Sequence, residues 1–147
     1  MAGAKRRASA VWNGSLAEGS GKVSTGTGVL RDVPVTWAAR TGGDDAKTSP
    51  EELLAAAHAA CFSMALAAGL GKSGNPPEEL RVEATCSFAP KPEGGFRIGS
   101  IELQVRGRVP DIDQNAFEQA ARAAGEGCPV SAALEGNVQV RVAAQLS

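Results

Sequence analysis

The side chains of this protein best suited to chemistry are three cysteines and a single histidine. A cysteine reacts as its thiolate, and two cysteines can interconvert between a dithiol and a disulfide. Cys61 lies in an apolar stretch between Ala60 and Phe62, whereas Cys128 directly precedes Pro129. The chemistry to consider is therefore that of a reactive thiol, alone or as one of a pair.

The surroundings of the three thiols predict different acidities. Cys128 stands at the start of a predicted helix with Pro129 in its first position, where unpaired backbone N–H groups and the helix dipole favour a thiolate. Cys61 lies mid-helix, so burial should raise its pKa, and helical periodicity alone favours a core role. If Cys61 attacks a substrate, a cation must be brought to it. Cys86 shares the apolar face of an alternating strand and is interpreted as a core residue.

The histidine, His58, precedes Cys61 by three residues and shares its helix face. The favoured interpretation is a packed or hydrogen-bonded core imidazole. A Cys–His nucleophile pair is an alternative. A zinc site with Cys61 and Cys128 is disfavoured, because the chain offers no clear fourth ligand and no Cys-x-x-Cys spacing.

The opening third of the chain predicts a small antiparallel meander. Short strands are expected at 8–13, 21–24 and 33–39, with a turn at Asn13-Gly14 and a loop at 41–47.

A long helix is predicted from Pro50 to about Leu70. Ser49 suits its N-cap, and Glu52 completes a capping box. Almost no charge follows Glu52, which is typical of a buried helix. We expect a sheet on one side of this helix and a second subunit on the other.

The remaining elements predict an α+β fold with the long buried helix against an antiparallel sheet. They are strands at 80–88 and 96–109, helices at 113–124 and 128–134 with a glycine-rich break between them, and a strand at 138–146. The length suits one domain over 1–147, with 1–7 as a flexible tail.

Composition argues against several classes of protein. A formal net charge of -1 and 4% aromatic residues disfavour a nucleic-acid partner. No apolar run is expected to reach the roughly 18 residues of a membrane span. No apolar region follows Lys5-Arg6-Arg7, so a secretory signal is not expected. Cysteines without an export signal predict a cytoplasmic location.

Two cysteine motifs carry a resemblance to a known family. Residues 48–66, TSPEELLAAAHAACFSMAL, resemble the OsmC/Ohr signature around the reactive cysteine, and EGCPVS at 126–131 resembles its second cysteine motif. Residues 23–30 are similar to the start of the OsmC (osmotically inducible protein C) branch. The resemblance implies an OsmC-like fold, with antiparallel sheets around a long central helix in an intertwined homodimer.

The resemblance also implies a stress-defence peroxidase that reduces organic hydroperoxides and, to a variable degree, hydrogen peroxide. Cys61 would attack the peroxide and become a sulfenic acid, and Cys128 would resolve it as a disulfide. Arg40 matches the position that activates the first thiol, and Glu51 the position that orients this arginine. The implied reductant is a dithiol such as a lipoyl protein or dihydrolipoamide, with no cofactor and no metal.

Helix geometry constrains the proposed roles of Arg40 and Glu51. Ten residues separate Glu51 from Cys61, roughly 15 Å along a helix, so they cannot touch, but an arginine between them could bridge. Two other functions remain open. One is a non-enzymatic stress-induced binding or redox-sensing module; the weaker one is a metal-binding protein using His58 and the cysteines.

Overall fold

A computed structural model describes residues 3–147 and has the predicted α+β class. Its elements are β1 (Ala8–Asn13), β2 (Ser20–Thr25), β3 (Val33–Val35), α1 (Trp37–Arg40), α2 (Pro50–Lys72), β4 (Glu79–Pro90), β5 (Phe96–Arg108), α3 (Gln114–Gly127), α4 (Pro129–Leu134) and β6 (Gln139–Leu146). The chain forms two units, a first unit up to Pro50 and a second from Glu51 to Ser147. The single domain over 1–147 and the flexibility of the tail stay predictions, and residues 1–2 of that tail lie outside the described residues.

The first unit confirms the predicted meander, with strands in the order β1-β2-β3 and antiparallel pairing throughout. The predicted strand at 33–39 was wrong beyond Val35. The Thr36 side chain accepts a hydrogen bond from the Ala39 backbone N–H at 3.1 Å and so caps the short helix α1. This N-cap ends the strand and places Arg40 at the end of a helical turn.

The long helix α2 begins at Pro50 as predicted and ends two residues beyond Leu70. Its buried residues recur every three or four positions and therefore form one face. They are Glu51, Ala55, His58, Phe62, Leu66 and Leu70. The opposite face is also apolar but exposed in the single chain, and Met64 is 71% exposed. Within one chain, α2 is thus a central helix buried on one side.

The expectation about membrane spans was wrong. By length and composition, α2 could cross a membrane, since an 18-residue window reaches a mean hydropathy of 1.8. The average is high because α2 is rich in apolar residues, many of them small alanines, although His58 and Ser63 interrupt the apolar run. One such helix is weak evidence, because the core helix of a soluble protein passes the same test. Here α2 contributes Phe62, Leu66 and Leu70 to the core of the second unit.

The sheet of the second unit has the order β4-β5-β6. The predicted β4–β5 hairpin is antiparallel, but β5 and β6 pair in parallel, which differs from an all-antiparallel sheet. The chain between them passes through α3 and α4, and such a crossover lets two parallel strands lie side by side. Gly107 of β5 leaves room for the ring of Phe117 on α3, because a Cβ there would collide with that ring.

Helix α3 runs through Gly127, past the predicted break at 125–127. Asp113 caps it by accepting from the Ala116 backbone N–H at 2.8 Å. Glycine costs a helix only about 1 kcal/mol, and Gly125 lies close to Val142 of β6, where a Cβ would come within 3.1 Å of Cγ2. Close packing therefore accounts for the glycine. Cys128 is left as the one extended residue between α3 and α4.

Candidate active site

Two thiols far apart in the chain meet in the second unit. Cys61 lies midway along α2, and Cys128 joins α3 to α4. Both cysteines are free, and their thiols lie close enough for each to affect the pKa of the other. Cys128 is completely buried, whereas Cys61 is half-buried. The contact therefore lies at the edge of the core, where Cys61 alone of the pair has exposed surface.

The pKa values of the two thiols are shifted in opposite directions. Burial is the largest influence on Cys61 and raises its pKa; the Val130 backbone N–H opposes this, and Cys128 adds to the rise. Burial also acts to raise the pKa of Cys128. It is outweighed by the Ser131 backbone N–H, the Cys61 thiol, the Ser131 hydroxyl and the Val130 backbone N–H, so the pKa of Cys128 is lowered.

His58 is the hydrogen-bonded core imidazole that the sequence favoured. It is fully buried, and its Nε2 lies 2.8 Å from Ser131 Oγ. Desolvation lowers the pKa of His58, so the ring is neutral. Among residues 3–147, Nδ1 has no hydrogen-bond partner, and no three His, Cys, Asp or Glu side chains are grouped to hold a metal.

Ser131 is a polar residue of this region whose role was not predicted from the sequence. It occupies the third position of α4, from which a side chain reaches back towards the N-cap, here Cys128. Its hydroxyl interacts with both the His58 ring and the Cys128 thiol. The Cys-x-x-Ser spacing at a helix start was the available signal, but the partner on α2 could not be read from it.

Arg40 and Glu51 belong to different units. Arg40 is half-buried at the end of α1, and Glu51 is only 5% exposed in the first turn of α2. Each of the two residues has at least one interaction partner. The bridge from Glu51 through Arg40 to Cys61 stays a prediction.

Cys86 packs against the hydrophobic core of the second unit, as predicted. Burial raises the pKa of its thiol, and the charge of Glu51 raises it further. Cys86 is therefore a poor source of thiolate.

Comparison with known proteins places the chain in one protein family. The family model of OsmC-like proteins matches residues 42–143. "Peroxiredoxin OsmC" of Escherichia coli is 41% identical over 133 residues, covering 90% of this chain and 92% of the relative. "Organic hydroperoxide resistance protein OhrB" of Bacillus subtilis is 34% identical over 125 residues, covering 84% and 88%. The crystal structure of OhrB from Bacillus subtilis superposes with a TM-score of 0.74 at 32% identity, covering 95% of this chain and 98% of that one.

The buried neutral imidazole predicts acid sensitivity of the fold. The lowered pKa of His58 means that, below its ordinary value of 6.5, the unfolded chain binds more protons than the folded one. The free energy of unfolding should therefore fall as pH drops below 6.5, by at most about 1.4 kcal/mol per pH unit. Since His58 is the sole histidine, His58→Gln should flatten this slope in urea titrations. Equal slopes in both proteins would contradict a neutral folded imidazole.

Proposed function

Because this chain belongs to the OsmC family, we propose that it is a thiol-dependent peroxidase that reduces organic hydroperoxides to alcohols and also accepts hydrogen peroxide. The observation that carries the proposal is the direct interaction of two free thiols, Cys61 and Cys128, from separate helical elements. The relatives named peroxiredoxin and organic hydroperoxide resistance protein support the same reaction.

The proposed cycle uses both sulfurs. The Cys61 thiolate attacks the terminal oxygen of the hydroperoxide, the O–O bond breaks, and Cys61 becomes a sulfenic acid. The departing alkoxide takes up a proton from solvent and leaves as the alcohol. The Cys128 sulfur then attacks the Cys61 sulfur, the S–O bond breaks, and the hydroxide leaves as water with the Cys128 proton. An external dithiol, such as a lipoyl protein or dihydrolipoamide, reduces the resulting disulfide by exchange.

Exposure supports this division of roles. A peroxide from solvent can reach the half-buried Cys61, whereas Cys128 is fully buried and accessible to its neighbouring sulfur. The cycle also requires reduced thiols at rest, so we place the protein in a reducing compartment, the cytoplasm.

Activation of Cys61 requires a cation, because burial raises the pKa of this thiol and no cation figures among the causes of that shift in the described chain. We propose Arg40 for this role. A guanidinium carries a positive charge and presents a planar set of donors that suits a sulfur and a peroxide. Glu51, an almost fully buried carboxylate, would orient it.

We further propose that the working form is a homodimer with its active sites at the subunit interface. Large apolar side chains are exposed in both units of the single chain, including Val11 and Trp12 on β1 and Met64 on α2. Exposed apolar surface of this kind is typical of protein interfaces. A second copy would also cover the outer apolar face of α2.

Substitution of each cysteine should separate the steps. Cys61→Ser should lower consumption of cumene hydroperoxide with dihydrolipoamide to background, because the attacking sulfur is gone. Cys128→Ser should allow one oxidation per chain and then stop, with a sulfenic acid detectable by mass spectrometry. Cys86→Ser is the matched control and should turn over close to the wild-type rate, since Cys86 packs in the core. Unchanged turnover in Cys61→Ser would refute the proposal and favour a non-enzymatic redox-sensing or binding protein.

Removal of the Arg40 guanidinium should slow the first step, the oxidation of Cys61 by the peroxide. Arg40→Ala should slow oxidation of Cys61 at neutral pH by about 10- to 100-fold, the loss of thiolate expected when a thiol pKa rises by one to two units. Raising the pH should recover much of the rate, and Glu51→Gln should give a smaller loss. Arg97→Ala, which removes the same charge from an exposed site on β5, is the control. A pH-rate profile of Arg40→Ala that coincides with wild type would exclude this role.

Light scattering should give a mass twice the 14.9 kDa of one chain. Met64→Glu places a charge on the exposed apolar face of α2 and should weaken the dimer, because the charge would have to be desolvated. Arg122→Glu on the exposed side of α3 serves as a control for the change of charge. A monomeric wild-type protein across micromolar concentrations would rule out the proposed assembly.

A further inference from the structure

Behind the paired thiols lies a second buried polar pair that the peroxidase cycle does not use. His58 Nε2 on α2 lies 2.8 Å from Ser131 Oγ on α4, and both residues are buried. Ser131 is also the third residue of the helix that begins after Cys128, and its hydroxyl lies close enough to the Cys128 thiol to lower the pKa of that thiol. The polar groups His58, Ser131, Cys128 and Cys61 therefore follow one another across the gap between α2 and α4.

The unpartnered ring nitrogen sets the direction of these hydrogen bonds. A neutral imidazole carries its proton on one nitrogen only, and Nδ1 of His58 has no partner among the described residues. A proton on Nδ1 would leave a buried N–H donor unpaired, which proteins tolerate less well than an unused acceptor. The proton therefore belongs on Nε2, which donates to Ser131 Oγ. The hydroxyl proton of Ser131 is then available to the Cys128 sulfur.

We propose that His58 and Ser131 are positioning residues for the resolving step: the His58 Nε2–H orients the Ser131 hydroxyl, which donates to the Cys128 sulfur as it attacks Cys61. The proposal rests on the peroxidase function. Negative charge gathers on Cys128 before the new S–S bond forms, and a directed hydroxyl stabilises that charge. The proton of Cys128 leaves with the departing hydroxide as water, so His58 remains neutral throughout.

The surroundings of Cys128 leave few other groups for this task. The titratable side chains linked to its sulfur are Cys61 directly and His58 through Ser131. On α3, the nearest acidic residue, Glu126, is exposed. From the sheet, the core around Cys128 receives apolar side chains of β5, among them Ile101 and Leu103. Ser131 and the backbone N–H groups at the start of α4 should therefore be the main determinants of the pKa of Cys128.

The decisive measurement is the pKa of Cys128 in the full chain with Cys61→Ser and Cys86→Ala, which leaves a single thiol. Titration of the ultraviolet absorbance of the thiolate gives this value without any peroxidase activity. Ser131→Ala should raise the pKa of Cys128 by about one unit, the scale of one lost hydrogen bond to a charged group. His58→Leu should raise it as well, although it removes no group that touches the sulfur. His58→Gln, whose amide can donate to Ser131, should restore it.

Controls separate positioning from packing. Ser63→Ala removes a hydroxyl that donates to the Ala60 carbonyl within α2 and should leave the pKa of Cys128 unchanged. Ser131→Ala removes a single oxygen and decides the result if His58→Leu does not fold. An unchanged pKa of Cys128 in folded Ser131→Ala would overturn the proposal and reduce the pair to a structural contact.

A second readout uses the chain with all its cysteines. After one equivalent of cumene hydroperoxide, Ser131→Ala should slow disulfide formation about tenfold relative to oxidation of Cys61, so that Cys61 sulfenic and sulfinic acids accumulate in mass spectra. An unaltered ratio of the two rates would overturn the role in resolution. Failure of wild-type Cys61 to oxidise would instead refute the peroxidase function, while the titration of Cys128 would still report on the hydrogen bonds.

Discussion

The acidity of two adjacent sulfurs is set by opposite physical effects, and the chemistry proposed for this protein depends on that contrast. Burial in an apolar helix raises the pKa of Cys61, whereas the unpaired N–H groups at the start of α4 lower that of Cys128 despite its complete burial. A sulfur that is acidic but enclosed is suited to attack an oxidised neighbour. A sulfur that is less acidic but accessible is suited to meet a peroxide once a cation favours its thiolate.

The architecture of the second unit brings these two sulfurs together. Helix α2 supplies Cys61 and His58 one turn apart, and its buried face fills the core. The crossover from β5 to β6 carries α3 and α4 and presents Cys128 at the joint between them. The small residues Gly107 and Gly125 let this crossover pack closely on the strands. The crossover through α3 and α4 therefore accounts both for the parallel pairing of β5 with β6 and for the position of Cys128.

Much of the fold was predictable because its elements carry strong local signals. Alternation predicted β1, β4 and β5, and Pro50 marked the start of α2. The errors arose where a local signal competed with packing. An alternating run hid the Thr36 cap of α1, and close packing against β6 let α3 continue through glycines that were expected to end it. Interruptions by His58 and Ser63 likewise hid how apolar α2 is on average.

The sequence by itself determined the reactive residue types, the apolar setting of Cys61, and the helix start that makes Cys128 acidic. These follow from residues within a few positions of each sulfur. Only the tertiary structure decided that the two thiols interact, that Ser131 is the partner of His58, and that β5 and β6 run in parallel. Each of these depends on how distant segments pack, and local periodicity fixes which face of an element is buried but not which residue of another element it meets.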